Sequence, residues 1–390
     1  MRFVLFKGQS QYGSLRLHID QIAVALGGLG HEAEIVDLAT PDAWTRLAES
    51  LEAQADCYLG VGGVGSEVQP DGISIFDSIG AAYVAIHVDH PVHMLQRVTL
   101  PIKRGAFFFL DRTHVQFVEA WPQSRGIGKL GFLPPGANEL PEQPDTSDEA
   151  FARRDIPLLF TGTYRGEPQT PWRDEPESPA RTILEDVARR MAADATLPVV
   201  KALRAALAQA FKAELTPELF NDFAPLLQAP QAYAETVHRD AVLRTLGEAG
   251  APLHVYGLGW EPLIERYPSF RYGGVGSFEE TLTLLRRAKL VLNINNGFVE
   301  GGHERVFTAM AGGAAVISDE SRYYVEAFRE TELATYYWKA LKGLPRKIEA
   351  LLADDRKLAA QARAGAARVA ADHTWQTRVK TIVEAVSALP

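Results

Sequence analysis

Apolar residues open the chain in short runs separated by longer amphipathic stretches. Residues 2–6 form a β-type run, and 15–29 carry apolar side chains at helical spacing. Residues 34–38 read as the next strand, and 56–61, 83–88 and 106–110 are further apolar runs bounded by glycine, proline or aspartate. Strands alternating with helices in this rhythm predict a parallel sheet covered on both faces. Gly131-Phe132-Leu133-Pro134-Pro135-Gly136 closes this first domain, expected over residues 1–140. The acidic, proline-containing stretch that follows, within 139–155, reads as a linker over 141–155.

A second alternation starts at 156–161, a strand entering Gly162. Residues 167–180 carry Pro168, Pro171, Pro176 and Pro179 and read as an irregular loop, and 181–248 are almost wholly helical, an insertion expected to cover the sheet. The strand–helix rhythm resumes through 254–256, 278–287, 290–294, 303–311 and 315–318, and alanine-rich helices finish the chain. The expected class is α/β: two Rossmann-like doubly wound domains facing a cleft, the second over 156–370 with a helical insertion at 181–248. A helix in 371–390 is able to pack back on the first domain. Open α/β sheets bind ligands at the carboxyl ends of their strands, so residues leaving strands are the candidates for chemistry.

Length and composition agree: 390 residues suit two domains, and 46% hydrophobic with 23% charged residues is ordinary for a soluble enzyme. The net charge of −9 argues against a nucleic-acid partner, which calls for a clustered basic face. Arg153-Arg154 and Arg286-Arg287 are isolated pairs, although a small cationic pocket for a diphosphate is compatible with this balance. Cys57 is the one cysteine, so no intrachain disulfide forms and zinc held by several thiolates is excluded. The chain starts without the long apolar core of a signal peptide, and no uncharged run approaches the ~20 residues of a membrane span. A cytoplasmic protein with at most peripheral membrane contact is expected.

Four stretches carry candidate chemistry. Gly60-x-Gly62-x-x-Gly65 matches the dinucleotide fingerprint in its letters, but the mechanism needs a helix to follow, and residues 66–72 are turn-forming. His87-x-Asp89-His90-x-x-His93 holds four groups able to bind a metal if they converge, or to contact a substrate. Asp89 and His90 are the general-base candidates, since a base must titrate near working pH. Gln9, Ser10, Gln11 and Tyr12 lie in the first strand–helix loop, where small and polar residues suit an acceptor. The densest signal is a strand at 290–294, a polar glycine-lined loop, then His303-Glu304-Arg305 opening a helix. A helix start attracts anions through its free amides, and Arg305 adds a cation for a diphosphate.

This last run, Asn293…Gly301-Gly302-His303-Glu304-Arg305-Val306-Phe307…Ala309-Met310-Ala311-Gly312-Gly313-Ala314…Ser318-Asp319, resembles the C-terminal signature of CgeB-like glycosyltransferases of the GT-B class. Phe160-Thr161-Gly162-Thr163-Tyr164, Val255-Tyr256-Gly257-x-Gly259-Trp260, Asp89-His90-Pro91, Asp111-Arg112-Thr113-His114 and His373-Thr374-Trp375 extend the likeness. The resemblance implies a nucleotide diphosphate sugar bound by the second domain, a hydroxyl acceptor (glycan, protein or small molecule) by the first, hexosyl transfer, and neither cofactor nor catalytic metal. No Asp-x-Asp triplet occurs in the sequence. On this resemblance Gly162, Thr163, Tyr164 and Arg165 lie near the diphosphate, and Tyr256, Gly257, Gly259 and Trp260 line the nucleobase. Asn293, Asn295, Asn296, Glu300, Gly302, His303, Glu304, Arg305 and Thr308 hold sugar, ribose and phosphates. Asp89, His90, Glu300 and Arg305 are then the catalytic candidates. Many retaining members carry two glutamates with seven residues between them; Glu300 takes the first place and Thr308 the second, so Glu304 is the substitute for the missing ribose contact. A non-catalytic sugar-nucleotide or glycan-binding protein, a sugar-nucleotide epimerase and a dehydrogenase are the alternatives, and oligomeric state is not readable.

Overall fold

The computed structural model describes residues 1–69, 72–124, 126–140, 142–172, 174, 176–295 and 297–390. By its contacts the chain divides into two units, Met1–Glu139 with Pro217–Pro225 and Asp372–Pro390, and Leu140–Thr216 with Leu226–Ala371.

The first unit is built on β1 (Arg2–Lys7), β2 (Glu32–Asp37), β3 (Cys57–Val61), β4 (Ala82–His87), β5 (Gly105–Phe109) and β6 (Lys129–Phe132). They form one parallel sheet in the order β2-β1-β3-β4-β5-β6. Strands β3, β4 and β5 are buried at every position, which is why they read as unbroken apolar runs and not as alternations. The helix Trp375–Ser387 packs on the helix Ser14–Gly28 of this unit, with Trp375 Nε1 donating to Asn138 Oδ1 at 3.2 Å. The insertion read as cover for the second sheet also lends a piece here. The helix Pro217–Phe223 seats Phe220 against Phe117 with ring centroids 5.2 Å apart, because Phe220 has an aromatic socket to fill.

The second unit holds β7 (Ile156–Thr161), β8 (Leu253–Tyr256), β9 (Arg271–Tyr272), β10 (Ala288–Asn293), β11 (Ala315–Asp319) and β12 (Ala334–Tyr336). Their order is β12-β11-β10-β7-β8-β9, again all parallel. Counted from β7, this is the 3-2-1-4-5-6 arrangement of dinucleotide-binding sheets, which reverses between β7 and β10; the first sheet reverses between β1 and β3. Strands β9 and β12 have two and three residues, too few for a periodic signal, and sequence reading missed both. The helices Pro179–Ala193, Val199–Phe211 and Gln228–Glu248 make up the insertion, and Val242, Leu243 and Leu246 of the last one join the sheet core. Within the stretch read as a linker, Ser147 caps a helix at Asp148–Ala152 and Phe151 is buried in the same core. Burial on that scale stabilises by about 2 kcal/mol, so this part of the stretch is packed structure; Pro141 lies outside the described residues. Among the described residues no helix is long and apolar enough to cross a membrane.

Candidate functional site

In the second unit the chain leaves β7 into Gly162 and leaves β10 into the Asn295 loop, the two sides of the sheet's reversal point. The turn after β7 is clamped by the turn after β8. Gly162 N donates to Tyr256 O at 2.8 Å, Tyr164 N to Leu258 O at 2.9 Å, and the Trp260 indole N–H to Gly162 O at 2.9 Å. Gly257 has φ +129, and a Cβ there would stand 2.3 Å from Gly162 O, so no other residue fits. Two residues read as ligand contacts are therefore scaffold. Trp260 is fully buried against Phe160 and Tyr164, and Tyr164 is buried with its hydroxyl on Asp240 Oδ1 at 2.7 Å. The surface beside Gly257 and Gly259 is made by Leu258, Tyr272 and Val275, which are exposed, with the Tyr272 hydroxyl donating to Gly257 O at 3.1 Å. Tyr256 lies beneath, its ring filling the space where a side chain on Gly273 would stand.

The loop after β10 is held by a buried polar lattice. Asn293 Nδ2 donates to Ser318 Oγ (2.9 Å), Asn295 N to Asp319 Oδ1 (2.7 Å), and Asn295 Nδ2 to Phe298 O (2.6 Å). Asn295 Oδ1 accepts from the His303 amide (3.2 Å) and the Tyr324 hydroxyl (2.9 Å). Asn293, Asn295 and Thr308, read as donor contacts, are buried at 0, 2 and 1% exposure, and the two asparagines brace the loop through these bonds. Gly302 packs against Tyr324, and Asn296 lies outside the described residues. Glu300 sits 3.7 Å from Arg322. Withdrawal from water pushes the Asp319 carboxyl up to about 7, against the opposing hydrogen bonds from Asn295 N and Ser318 Oγ.

His303 stands at the N-cap of the helix Glu304–Ala311. Its Nδ1 lies 2.5 Å from Glu304 Oε2 and 3.2 Å from the Arg305 amide. The Arg305 amide donates to this nitrogen, so His303 caps the helix while its ring stands against the Glu304 carboxylate. Burial lowers the His303 pKa, with Glu304 acting against it. The Arg305 guanidinium lies 5.1 Å over the Phe160 ring, and its NH1 donates to Asn293 Oδ1 at 2.8 Å. Its NH2 lies 3.5 Å from where a Cβ on Gly162 would be. Among the described residues it forms no ion pair. Desolvation lowers its pKa, Glu304 being the foremost charge acting the other way. A guanidinium so placed is complementary to an anion at the Gly162 turn.

Sequence reading missed a third side. Gln231 and Glu235 are buried on the helix Gln228–Glu248, with Gln231 Nε2 donating to Glu235 Oε1 at 2.9 Å. A Cβ on Gly297 would stand 2.9 Å from Gln231 Nε2. Glu235 pairs with Arg165 at 3.3 Å, so Arg165, read as a charge partner of the diphosphate, is already matched. Arg239 NH1, one turn further, donates to Thr163 O at 2.7 Å. The signal was faint: polar residues at i, i+4 and i+8 look like ordinary helix surface until the neighbouring loops are in place.

In the first unit Gly60 lies in β3 and Gly62 and Gly65 in the turn that follows, and among the described residues no helix starts there; Pro70 and Asp71 lie outside them. A Cβ on Gly65 would be 2.3 Å from the Phe6 ring and one on Gly60 1.9 Å from Val64 O, so these two glycines answer to close packing, and Gly62 to its φ of +69. Arg97 NH1 donates to Gly62 O at 2.8 Å while its Nε meets Glu67 at 2.5 Å. His87 is fully buried, stacked on Phe109 at 4.9 Å with Nδ1 3.0 Å from the Met94 sulfur, and burial pushes it down to about 3. His90 is buried beside His114 (4.4 Å between rings) with Nδ1 accepting from Val92 N, and burial holds its pKa well below the ordinary value. A covered, neutral imidazole engaged in a cap is poorly placed as a general base, which leaves exposed Asp89. Among the described residues no three His, Cys, Asp or Glu side chains gather as a metal-holding group. Gln9 and Gln11 are exposed, Ser10 Oγ accepts from Leu15 N at 3.3 Å, and Tyr12 is half-buried in the same loop beyond β1.

A family model described as glycosyl transferase-like matches residues 239–384, which contain the loop after β10 and the Arg305 helix. No curated protein sequence matches the chain. Among solved structures, an α-glucosyltransferase (AGT) in complex with UDP is similar with TM-score 0.57 and 10% identity, over 99% of this chain and all of that one. Sucrose-phosphate synthase from Thermosynechococcus elongatus is similar with TM-score 0.53 and 12% identity, over 98% of both chains. Anabaena HepE, in complex with UDP and glucose, is similar with TM-score 0.52 and 12% identity over the whole of both. With two parallel six-stranded sheets flanked by helices, the chain has the GT-B fold.

Proposed function

We propose that this protein is a glycosyltransferase that moves a sugar, a hexose by the family likeness, from a nucleoside diphosphate to a hydroxyl acceptor without a catalytic metal. The observation that carries the reading is Arg305: a partly buried guanidinium with no ion pair among the described residues, at a helix start, aimed at the Gly162 turn. In such a transfer the acceptor oxygen attacks the anomeric carbon and its proton passes to a base. The bond to the β-phosphate oxygen breaks, and the electron pair leaves on the diphosphate. The guanidinium and the helix-start amides stabilise that growing charge in place before reaction, which is the largest catalytic term such a site can supply. Asp89 is the base and the Gln9–Tyr12 loop contacts the acceptor. Glu300 and Glu304 meet sugar or ribose hydroxyls. The family match over 239–384 and the neighbours solved with UDP support a UDP-type donor, and the run from Gly301 to Asp319 supports a CgeB-like member.

Calorimetric titration with UDP, GDP, dTDP and CMP, followed by incubation with the matching sugar nucleotides, tests this. Binding of one nucleoside diphosphate, and its release from the sugar nucleotide stimulated by a hydroxyl acceptor, is expected. Binding without turnover would leave a sugar-nucleotide-binding protein, and sugar interconversion without acceptor an epimerase. Full donor affinity and turnover in an Arg305→Ala variant would remove the assignment.

A further inference from the structure

We propose that the acceptor is an uncharged saccharide, bound at the carboxyl edge of the first sheet, where the cations already stand against carboxylates or a ring. The inference rests on the transferase reading above and narrows it. Of glycan, protein and small molecule, it selects a sugar without phosphate or carboxylate.

The argument begins with charge. Lys7, at the end of β1, donates from Nζ to both Asp20 carboxylate oxygens at 2.7 Å. Arg16 donates to both oxygens of Asp37, at the end of β2, at 3.0 and 2.6 Å, and its NH1 also reaches Gly8 O at 3.3 Å. The bond to Arg16 draws the Asp37 carboxyl down to about 2 and the same bond raises the Arg16 pKa, so both stay charged at working pH. In the turn after β3, Glu67 stands 2.5 Å from Arg97 Nε. Arg112, after β5, lies 4.7 Å over the Phe132 ring. An anionic acceptor gains little at such an edge, because each paired cation it approaches brings a carboxylate of its own sign. The second unit is the reverse: Arg305 stands without an ion pair among the described residues, as an anionic diphosphate requires.

Uncharged hydroxyls gain from the same pairs. An ion pair bonds a neutral hydroxyl without separating, and hydrogen bonds to charged groups are the stronger kind. The loop after β1 adds the exposed amides of Gln9 and Gln11, each able to donate and to accept, which suits adjacent sugar hydroxyls. Trp44 is 77% exposed in the first turn of the helix Ala43–Glu52 that follows β2, and an indole face suits the C–H side of a pyranose ring. Leu15 and Val64 are half-buried beside Gly62 and Gly8, too little apolar surface to hold a lipid chain.

The test follows diphosphate release by the intact chain from whichever of UDP-glucose, GDP-mannose and dTDP-glucose it cleaves. Three kinds of acceptor are compared: neutral mono- and disaccharides, the corresponding 6-phosphates and uronic acids, and a peptide containing serine and threonine. Neutral saccharides are expected to stimulate release, and the charged forms to need at least tenfold higher concentration for half-maximal stimulation. Glu67→Gln, at a partly exposed position, takes the carboxylate from Arg97 and is expected to narrow that gap threefold or more. Adding Arg97→Gln is expected to restore it. Charged sugars as effective as neutral ones, stimulation by the peptide alone, or no stimulation by any acceptor would overturn the inference, while cleavage of the sugar nucleotide leaves the donor reading standing. A gap unmoved in Glu67→Gln would overturn it likewise. A chain that cleaves none of the three sugar nucleotides would overturn the transferase reading and this inference together.

Discussion

The two sheets carry comparable loops at their reversal points, but the letters of a known motif fall on one and the helix start with its cation on the other. The first unit has the letters of a dinucleotide fingerprint after β3, yet its glycines pack against Phe6 and Val64, its cation Arg97 is matched by Glu67, and its strand-end histidines His87 and His90 are buried. The second unit lacks the letters after β7. It places a helix start and an Arg305 without an ion pair among the described residues beside the Gly162 turn. Anion-binding capacity follows from where a helix begins and whether its cation is already matched, not from glycine spacing.

Removing Arg305 should sharpen this contrast most. Arg305→Met is expected to weaken nucleoside diphosphate binding about a hundredfold, near 3 kcal/mol, while Arg97→Met in the first unit should leave it unchanged; calorimetry decides. An equal loss in both variants would break the comparison. The next effect is on stability. Gly257→Ala should destabilise the second unit by about 3 kcal/mol, because its Cβ meets Gly162 O at 2.3 Å and φ is +129. Gly62→Ala in the first unit meets nothing closer than Leu15 Cδ1 at 3.6 Å, so only its φ of +69 is strained, at about 1–2 kcal/mol. Denaturant unfolding of both variants measures the difference.

The units should also respond oppositely to acid. His87 has its folded pKa lowered to about 3, so its contribution is present above the ordinary value of 6.5 and is lost as pH falls toward 3. Asp319 has its folded pKa raised to about 7, so its contribution is full below 3.8 and is lost as pH rises through 7. From pH 7 to pH 4, hydrogen-exchange protection, corrected for intrinsic rates, should fall in β4 and β5 and hold or rise in β10 and β11. Asp319→Asn should stabilise the second unit by about 1–3 kcal/mol at pH 8 and by nothing at pH 4. Parallel loss in both sheets would contradict this. The smallest expected effect is at the exposed edge: Tyr272→Ala should weaken nucleotide binding by about 1 kcal/mol, as one aromatic–base contact, and leave inorganic pyrophosphate binding unaltered.

Much of the fold was legible because parallel strands buried on both faces give unbroken apolar runs, as 83–88 and 106–110 did for β4 and β5. The edge strands β9 and β12 were not, since pairing with a neighbour defines them and two or three residues hold no period. In the site, His303, Glu304 and Arg305 were legible as a polar group opening a helix. The burial of Trp260, Asn293, Asn295 and Thr308 was not legible, because a sequence shows polarity and aromaticity but not which side chains lose water.

By itself the sequence determined the strand–helix rhythm, the two α/β units and the helix that begins at Glu304, because periodicity and capping are local properties of the chain. Tertiary structure alone decided the strand order that brings β7 beside β10, the pairing that matches Arg165 with Glu235, and the approach of Arg239 to Thr163 from 76 residues away. Those are matters of which charges meet and which atoms lose water. Only packing across long stretches of chain settles them.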